Sequence, residues 1–196
     1  YKNLMNEAFI SYIQEKDEPG KTENYTAYTN HRVNTLQSPK SNGLNYDGSG
    51  VVVGLGDDGE LGDHLDYTGR LVQSSPPSNG DHGDHVAGTI FGAGNIDPKG
   101  RGMAPGADIY YESYPSNLNN VDANFNSQNV RITSSSYSNG CNRGYSNFAR
   151  QLDQDYQQNP ELLHVFSAGN SGAGCSGAFV TGFYNITGGH KIAKSA

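Results

Sequence analysis

Val51-Val52-Val53-Gly54-Leu55-Gly56-Asp57-Asp58-Gly59 is the stretch on which the fold turns. A short apolar run bounded by glycines reads as a strand buried on both faces, the kind found in parallel sheets covered by helices. Asp57 then falls at the carboxyl end of that strand, the edge where open α/β sheets gather their functional groups. Downstream comes His82-Gly83-Asp84-His85-Val86-Ala87-Gly88-Thr89. From His82 to Gly94, small and apolar residues recur at helical spacing after a polar start, which predicts a buried helix with His82 in its first turn. Gly83, Ala87 and Gly88 would let that helix approach the sheet closely.

Working outward, three further strands are predicted, over Asp108–Tyr114, Val130–Ser135 and Leu162–Ala168. Between the last two, Tyr145–Gln158 carries Phe148, Leu152 and Tyr156 at four-residue spacing, a crossover helix closed by Pro160. This alternation of strand and helix argues for an α/β fold: a doubly wound, mostly parallel sheet with helices on both faces. Toward the amino end, Leu4, Met5, Phe9, Tyr12 and Ile13 predict a short amphipathic helix over Lys2–Lys16. Asp17–Gly50 is polar and interrupted by Pro19 and Pro39, so it reads as an irregular arm. The chain thus divides into an amino-terminal helix and arm, 1–46, and a body, 47–196. Thr187–Lys194 is too short to assign.

The 196 residues suit one domain or most of a larger one. A net charge of −7 with only 13 Lys plus Arg gives no basic footprint for nucleic acid and no lysine-rich face for a membrane surface. No apolar run approaches the roughly 18 residues that span a bilayer. The 26 glycines and 13 tyrosines, with abundant Asn and Ser, fit a loop-rich secreted or extracytoplasmic enzyme. The start at Tyr1, with no signal-like segment, suggests a processed or engineered terminus.

A serine hydroxyl needs a base within hydrogen-bond reach, and that base needs a third group to fix its tautomer. Asp57 is the candidate orienting acid and His82 the candidate base. Taken singly, an acid after a strand is usually a helix cap, and a lone histidine on a helix a packed or surface residue. Their order, followed by Ser167-Ala168-Gly169-Asn170-Ser171-Gly172, resembles the subtilisin-like serine peptidases (subtilases), which run Asp, His, Ser along the chain. Gly102-Met103-Ala104-Pro105-Gly106-Ala107 is also similar to that family's Gly-Val-Ala-Pro turn. The resemblance covers roughly Asp47 to Ala196 and rests on ordered motifs rather than on any one of them.

The resemblance implies a serine endopeptidase acting on protein or peptide substrates through an acyl-enzyme. Asn170 would be the oxyanion-hole donor, and Ser134, Ser135, Ser136, Ala168 and Gly169 would line a channel that pairs with an extended peptide. The chemistry implied needs no cofactor and no metal, while structural calcium is common among such relatives. Cys141 and Cys175 lie in separate Gly/Ser/Asn-rich loops; an even count in an extracytoplasmic protein favours a disulfide, and two free thiols are the alternative.

Four departures stand out. Asp58 occupies the place of a Ser or Thr, and Asp84 that of a Thr, which should add negative charge near His82 and raise its pKa. Tyr137 stands where the family has glycine, which obscures the primary specificity pocket. The Gly-Thr-Ser-Met-Ala nucleophile block is absent from Tyr1 to Ala196. The fold is therefore expected to be incomplete at its carboxyl end, with a C-terminal fragment carrying the serine as partner.

Competing readings are weaker. Gly169-Asn170-Ser171-Gly172 superficially resembles the serine loop of chymotrypsin-like enzymes, but those place His before Asp and are all-β. His64, Asp66, His82, Asp84 and His85 are dense enough for a metal, yet contain no His-Glu-x-x-His pattern. The main rival is a non-catalytic, peptide-gripping or scaffolding relative. His85 is expected to pack structurally.

Overall fold

The computed structural model describes residues 23–59, 61–73, 80–142, 144–170 and 187–195. The helix expected over Lys2–Lys16 lies outside them. Strand β1, Val52–Asp57, is buried along nearly its whole length and forms the centre of a five-stranded sheet. The others are β2 (Leu71–Gln73), β3 (Asp108–Ser113), β4 (Val130–Ser135) and β5 (Leu163–Phe166), in the order β2-β3-β1-β4-β5. Every pairing is parallel, so the sheet is wholly parallel among the described residues.

Helix α3, His82–Phe91, covers one face. Its Ala87 and Phe91, both fully buried, pack with Val53, Leu55, Ile109 and Tyr111. The other face carries α4 (Ser116–Asn119), α5 (Val121–Gln128) and α6 (Asn147–Gln158). There Leu118, Val121, Leu152 and Leu162 form a second core. Parallel neighbours require crossovers, and helices on both faces bury both sides of β1. Ser146 caps α6 through the Ala149 N–H. No helix among the described residues is long and apolar enough to cross a membrane.

One expectation needs correction. The arm over Asp17–Gly50 is not irregular throughout, because α1 (Glu23–Asn30) and α2 (Val33–Gln37) form within it. Gln37, only 8% exposed, docks them on the body. Its Nε2 donates to the carbonyls of Gly102 and Met103 (3.1 and 2.9 Å), and its Oε1 accepts from Tyr28 Oη and Arg101 Nε (both 2.8 Å). Tertiary hydrogen bonds, rather than an apolar stripe, hold these polar helices.

Candidate active site

Asp57 ends the central strand and His82 begins α3, so the sheet edge and the helix start meet. His82 Nδ1 lies 2.7 Å from Asp57 Oδ1. The acid is 2% exposed and the imidazole 53% exposed. Because a carboxylate only accepts, Nδ1 carries the proton, which leaves Nε2 as the basic nitrogen. Asp57 Oδ1 also accepts the Asp58 N–H at 2.9 Å, and Oδ2 is buried without a partner among the described residues.

The Asp57 hydrogen bond holds the His82 pKa above the ordinary imidazole value, against partial burial; the charges of Asp57, Asp58 and Asp81 add to it. Asp81, before the helix, also adds to the negative charge that acts on His82. The Asp84 carboxylate turns toward Gly59, where an added Cβ would lie 3.3 Å from its Oδ2. Gly83 permits the close approach read from the sequence, since a Cβ there would fall 2.1 Å from the Asp58 carbonyl oxygen. His85 does not pack inside but is exposed.

The dense His/Asp set separates. His64 Nδ1 accepts the Asp66 N–H (3.2 Å), and the Asp66 carboxylate takes the Gly94 and Asn95 N–H groups. Asp57, Asp58 and His82 alone bring ligating atoms within 4.8 Å of one another among the described residues. Of these, Asp57 Oδ1 and His82 Nδ1 are joined to each other, and Asp58 Oδ1 takes the Gly83 N–H.

The remaining predicted residues lie at the carboxyl ends of β4 and β5. Ser134 and Ser136 are half-buried. Ser135 faces inward at 1% exposure; its Oγ accepts from Asn117 Nδ2 (3.0 Å) and its carbonyl from the Ser167 N–H (3.2 Å). Ala168 and Asn170 are exposed after β5, and the Ala168 carbonyl accepts the Thr187 N–H at 3.0 Å. Gly169 adopts φ +107°, a conformation natural to glycine. Thr187 bridges to Cys141, and the Gly188 N–H donates to the Gly140 carbonyl, so 187–189 ties the loops after β4 and β5 together. Cys175 lies outside the described residues, as does Ser171.

Two features escaped the sequence reading. Tyr114, whose N–H donates to the Asp57 carbonyl at 3.1 Å, stacks on Tyr137 with ring centroids 4.9 Å apart. Tyr137 Oη in turn donates to the buried Asn117 Oδ1 at 3.3 Å. The aromatic pair therefore stands beside the acid–histidine pair on the same sheet edge. The Tyr137 departure was the available signal; its partner was not readable from spacing.

A family model described as "Subtilase family" matches residues 48–193. The chain is 25% identical over 167 residues to "Serine protease/ABC transporter B family protein tagA" of Dictyostelium discoideum, covering 71% of this chain and 10% of that protein. It thus spans about a tenth of that relative's length. A solved structure, "S41 Psychrophilic Protease", is similar at 22% identity with a TM-score of 0.49, over 65% of this chain and 48% of the other.

Proposed function

This chain belongs to the subtilase family, and from that premise we propose that it supplies the acid, base and oxyanion donor of a subtilisin-type serine endopeptidase. The observation that carries the reading is the 2.7 Å contact between the half-exposed His82 imidazole and the buried Asp57 carboxylate. A serine from a segment beyond residues 1–196 attacks the scissile carbonyl as its hydroxyl proton passes to His82 Nε2. Asp57 stabilises the imidazolium that results. Asn170 donates to the developing oxyanion, and the leaving amine takes the proton from His82 as the acyl-enzyme forms. Water, deprotonated by the same nitrogen, then hydrolyses the ester.

Protein or peptide substrate would run along the carboxyl ends of β4 and β5, past Ser134, Ser136, Ala168 and Gly169. Ser135 would contribute from behind, because its side chain is turned to Asn117. The body of this unit begins near Asp47, with the arm docked on it through Gln37. The setting is extracytoplasmic, with Cys141 bridged to Cys175, and structural calcium is compatible with chemistry that itself needs no ion. A peptide-gripping relative without catalysis is the second reading. The assembled acid–histidine pair speaks against it.

Fluorophosphonate labelling with intact-mass analysis separates the two. The probe is applied to the protein isolated with whatever polypeptide continues or accompanies the chain. A labelled serine on that polypeptide, lost in His82→Ala, supports the peptidase; a serine-bearing segment that stays unlabelled in the assembled protein refutes it.

A further inference from the structure

We propose that Asp58 is a positioning residue of this site, whose carboxylate takes the Gly83 N–H from outside helix α3 and so fixes the helix end that presents His82. This rests on the reading of Asp57 and His82 as the acid–base pair. A helix leaves its first N–H groups without internal partners, and the residue before it normally supplies an acceptor. Asp81 occupies that position and makes no side-chain cap. Asp58 Oδ1 does so instead, at 3.1 Å from the Gly83 nitrogen, from 25 residues away in sequence.

Asp58 is itself tied on three sides. Its N–H donates to Asp57 Oδ1 at 2.9 Å, its carbonyl accepts from the fully buried Tyr111 Oη, and its carboxylate holds Gly83. The fit is close, since a Cβ added at Gly80 would lie 2.6 Å from the Asp58 carboxylate. The end of β1 and the start of α3 are therefore joined by two adjacent acids with separate tasks. Asp57 aligns the imidazole ring, and Asp58 aligns the backbone that carries it. An anion at the amino end of a helix also suits the helix dipole. Among the described residues, Asp57 and, from just before its own helix, Asp81 also place negative charge on His82.

The test follows Gly83 amide exchange and the His82 titration midpoint by NMR in the full chain, so it does not depend on turnover. Asp58→Ala is expected to speed Gly83 exchange roughly five- to tenfold and to lower the His82 midpoint. Asp58→Asn, which keeps an acceptor but no charge, should restore Gly83 protection while leaving the midpoint low. Asp81→Ala should leave Gly83 exchange unchanged. Exchange at Gly83 that ignores Asp58→Ala, or responds equally to Asp81→Ala, overturns the proposal. Should Asp58→Ala not fold, the absence in wild type of a through-hydrogen-bond coupling between the Gly83 nitrogen and the Asp58 carboxylate carbon overturns it. Asp57→Asn is the separate control: if the His82 midpoint does not fall there, the acid–base reading itself fails, whatever Asp58 does.

Discussion

Replacing Gly56 by alanine should destabilise the fold far more than one methyl group suggests. Gly56 is buried in the central strand immediately before Asp57. A Cβ there would lie 1.9 Å from Asn117 Cγ, 2.0 Å from Nδ2 and 2.3 Å from Oδ1. Overlaps of that size cannot be relieved by a few tenths of an ångström, so the amide must leave its place. Asn117 is 3% exposed and holds both Ser135 Oγ and Tyr137 Oη. Stranding buried polar groups costs about 1–3 kcal/mol each, and overpacking adds about 1–3 kcal/mol. Gly56→Ala is therefore expected to cost about 3–5 kcal/mol. Asn117→Ala alone should cost about 2–4 kcal/mol through the same lost bonds. In the double variant the new methyl occupies the space the amide vacates, so its cost should stay close to that of Asn117→Ala. A favourable coupling of about 3–5 kcal/mol, the whole of the Gly56→Ala cost, results. Urea unfolding followed by far-UV circular dichroism measures all four corners of the cycle. Additive costs, or a Gly56→Ala loss below about 1 kcal/mol, would refute the reasoning.

Other outcomes follow from groups placed above and beneath the sheet. His82, raised chiefly by its bond to Asp57, must be neutral to act as base. Once the serine segment is present, the acid limb of kcat/KM should lie above the ordinary histidine range, and a limb at or below that range would contradict it. Burial pushes His164 and His190 down to about 4, with His190 adding to the effect on His164. Below the unfolded value near 6.5, the unfolded chain binds the protons first. Stability from both is complete above that pH and falls toward pH 4. His164→Gln should flatten this fall in urea midpoints, and an unchanged slope counts against it. Asp155, raised to about 7 by burial and then by the charge of Asp122, has the opposite sign, because its folded form keeps the proton and stability is lost as pH rises toward 7. Asp155→Asn should therefore stabilise the protein by about 1–3 kcal/mol at pH 8 and less at pH 5; equal effects at both would be contrary. Gln37→Leu leaves four hydrogen-bond partners unpaired, so limited proteolysis should cut within 23–46 several times faster than in wild type, and an unchanged rate would show that the arm is held otherwise.

The parts of the fold legible in the sequence were those whose apolar pattern is decided locally. The run at Val51 gave β1, the small and apolar residues after His82 gave α3, and Leu152, fully buried, marks the inner face of α6. What escaped was held by distant polar contacts. Helix α5 is rich in asparagine, a weak helix former, and it is anchored by Asn124 Nδ2 on Glu112 (2.7 Å), with Asn120 on the other oxygen (2.9 Å). Strand β2 has three residues, too few to show alternation. At the site, Asp57 and His82 were readable from motif order. The inward turn of Ser135 follows from the two-residue period of β4, which the grouping of Ser134 to Ser136 passed over. The bond from Gly83 to Asp58 has no local signature at all.

The central position of β1 has a consequence in time. Both strands that flank it, β3 and β4, come later in the chain. On the ribosome β1 emerges before both, and one of its edges stays unmatched until β4 is made, about 80 residues later. At about 5–20 residues per second that is a wait of roughly 4–16 s. An apolar strand left open for so long invites pairing with strangers. Gly54 and Gly56 interrupt it, and glycine within a strand weakens such pairing. In the finished sheet Val130 and Asn117 close over the same two positions, where a Cβ would fall 3.0 and 1.9 Å from them. The glycines that let the neighbouring side chains settle against the strand also temper it while it stands alone.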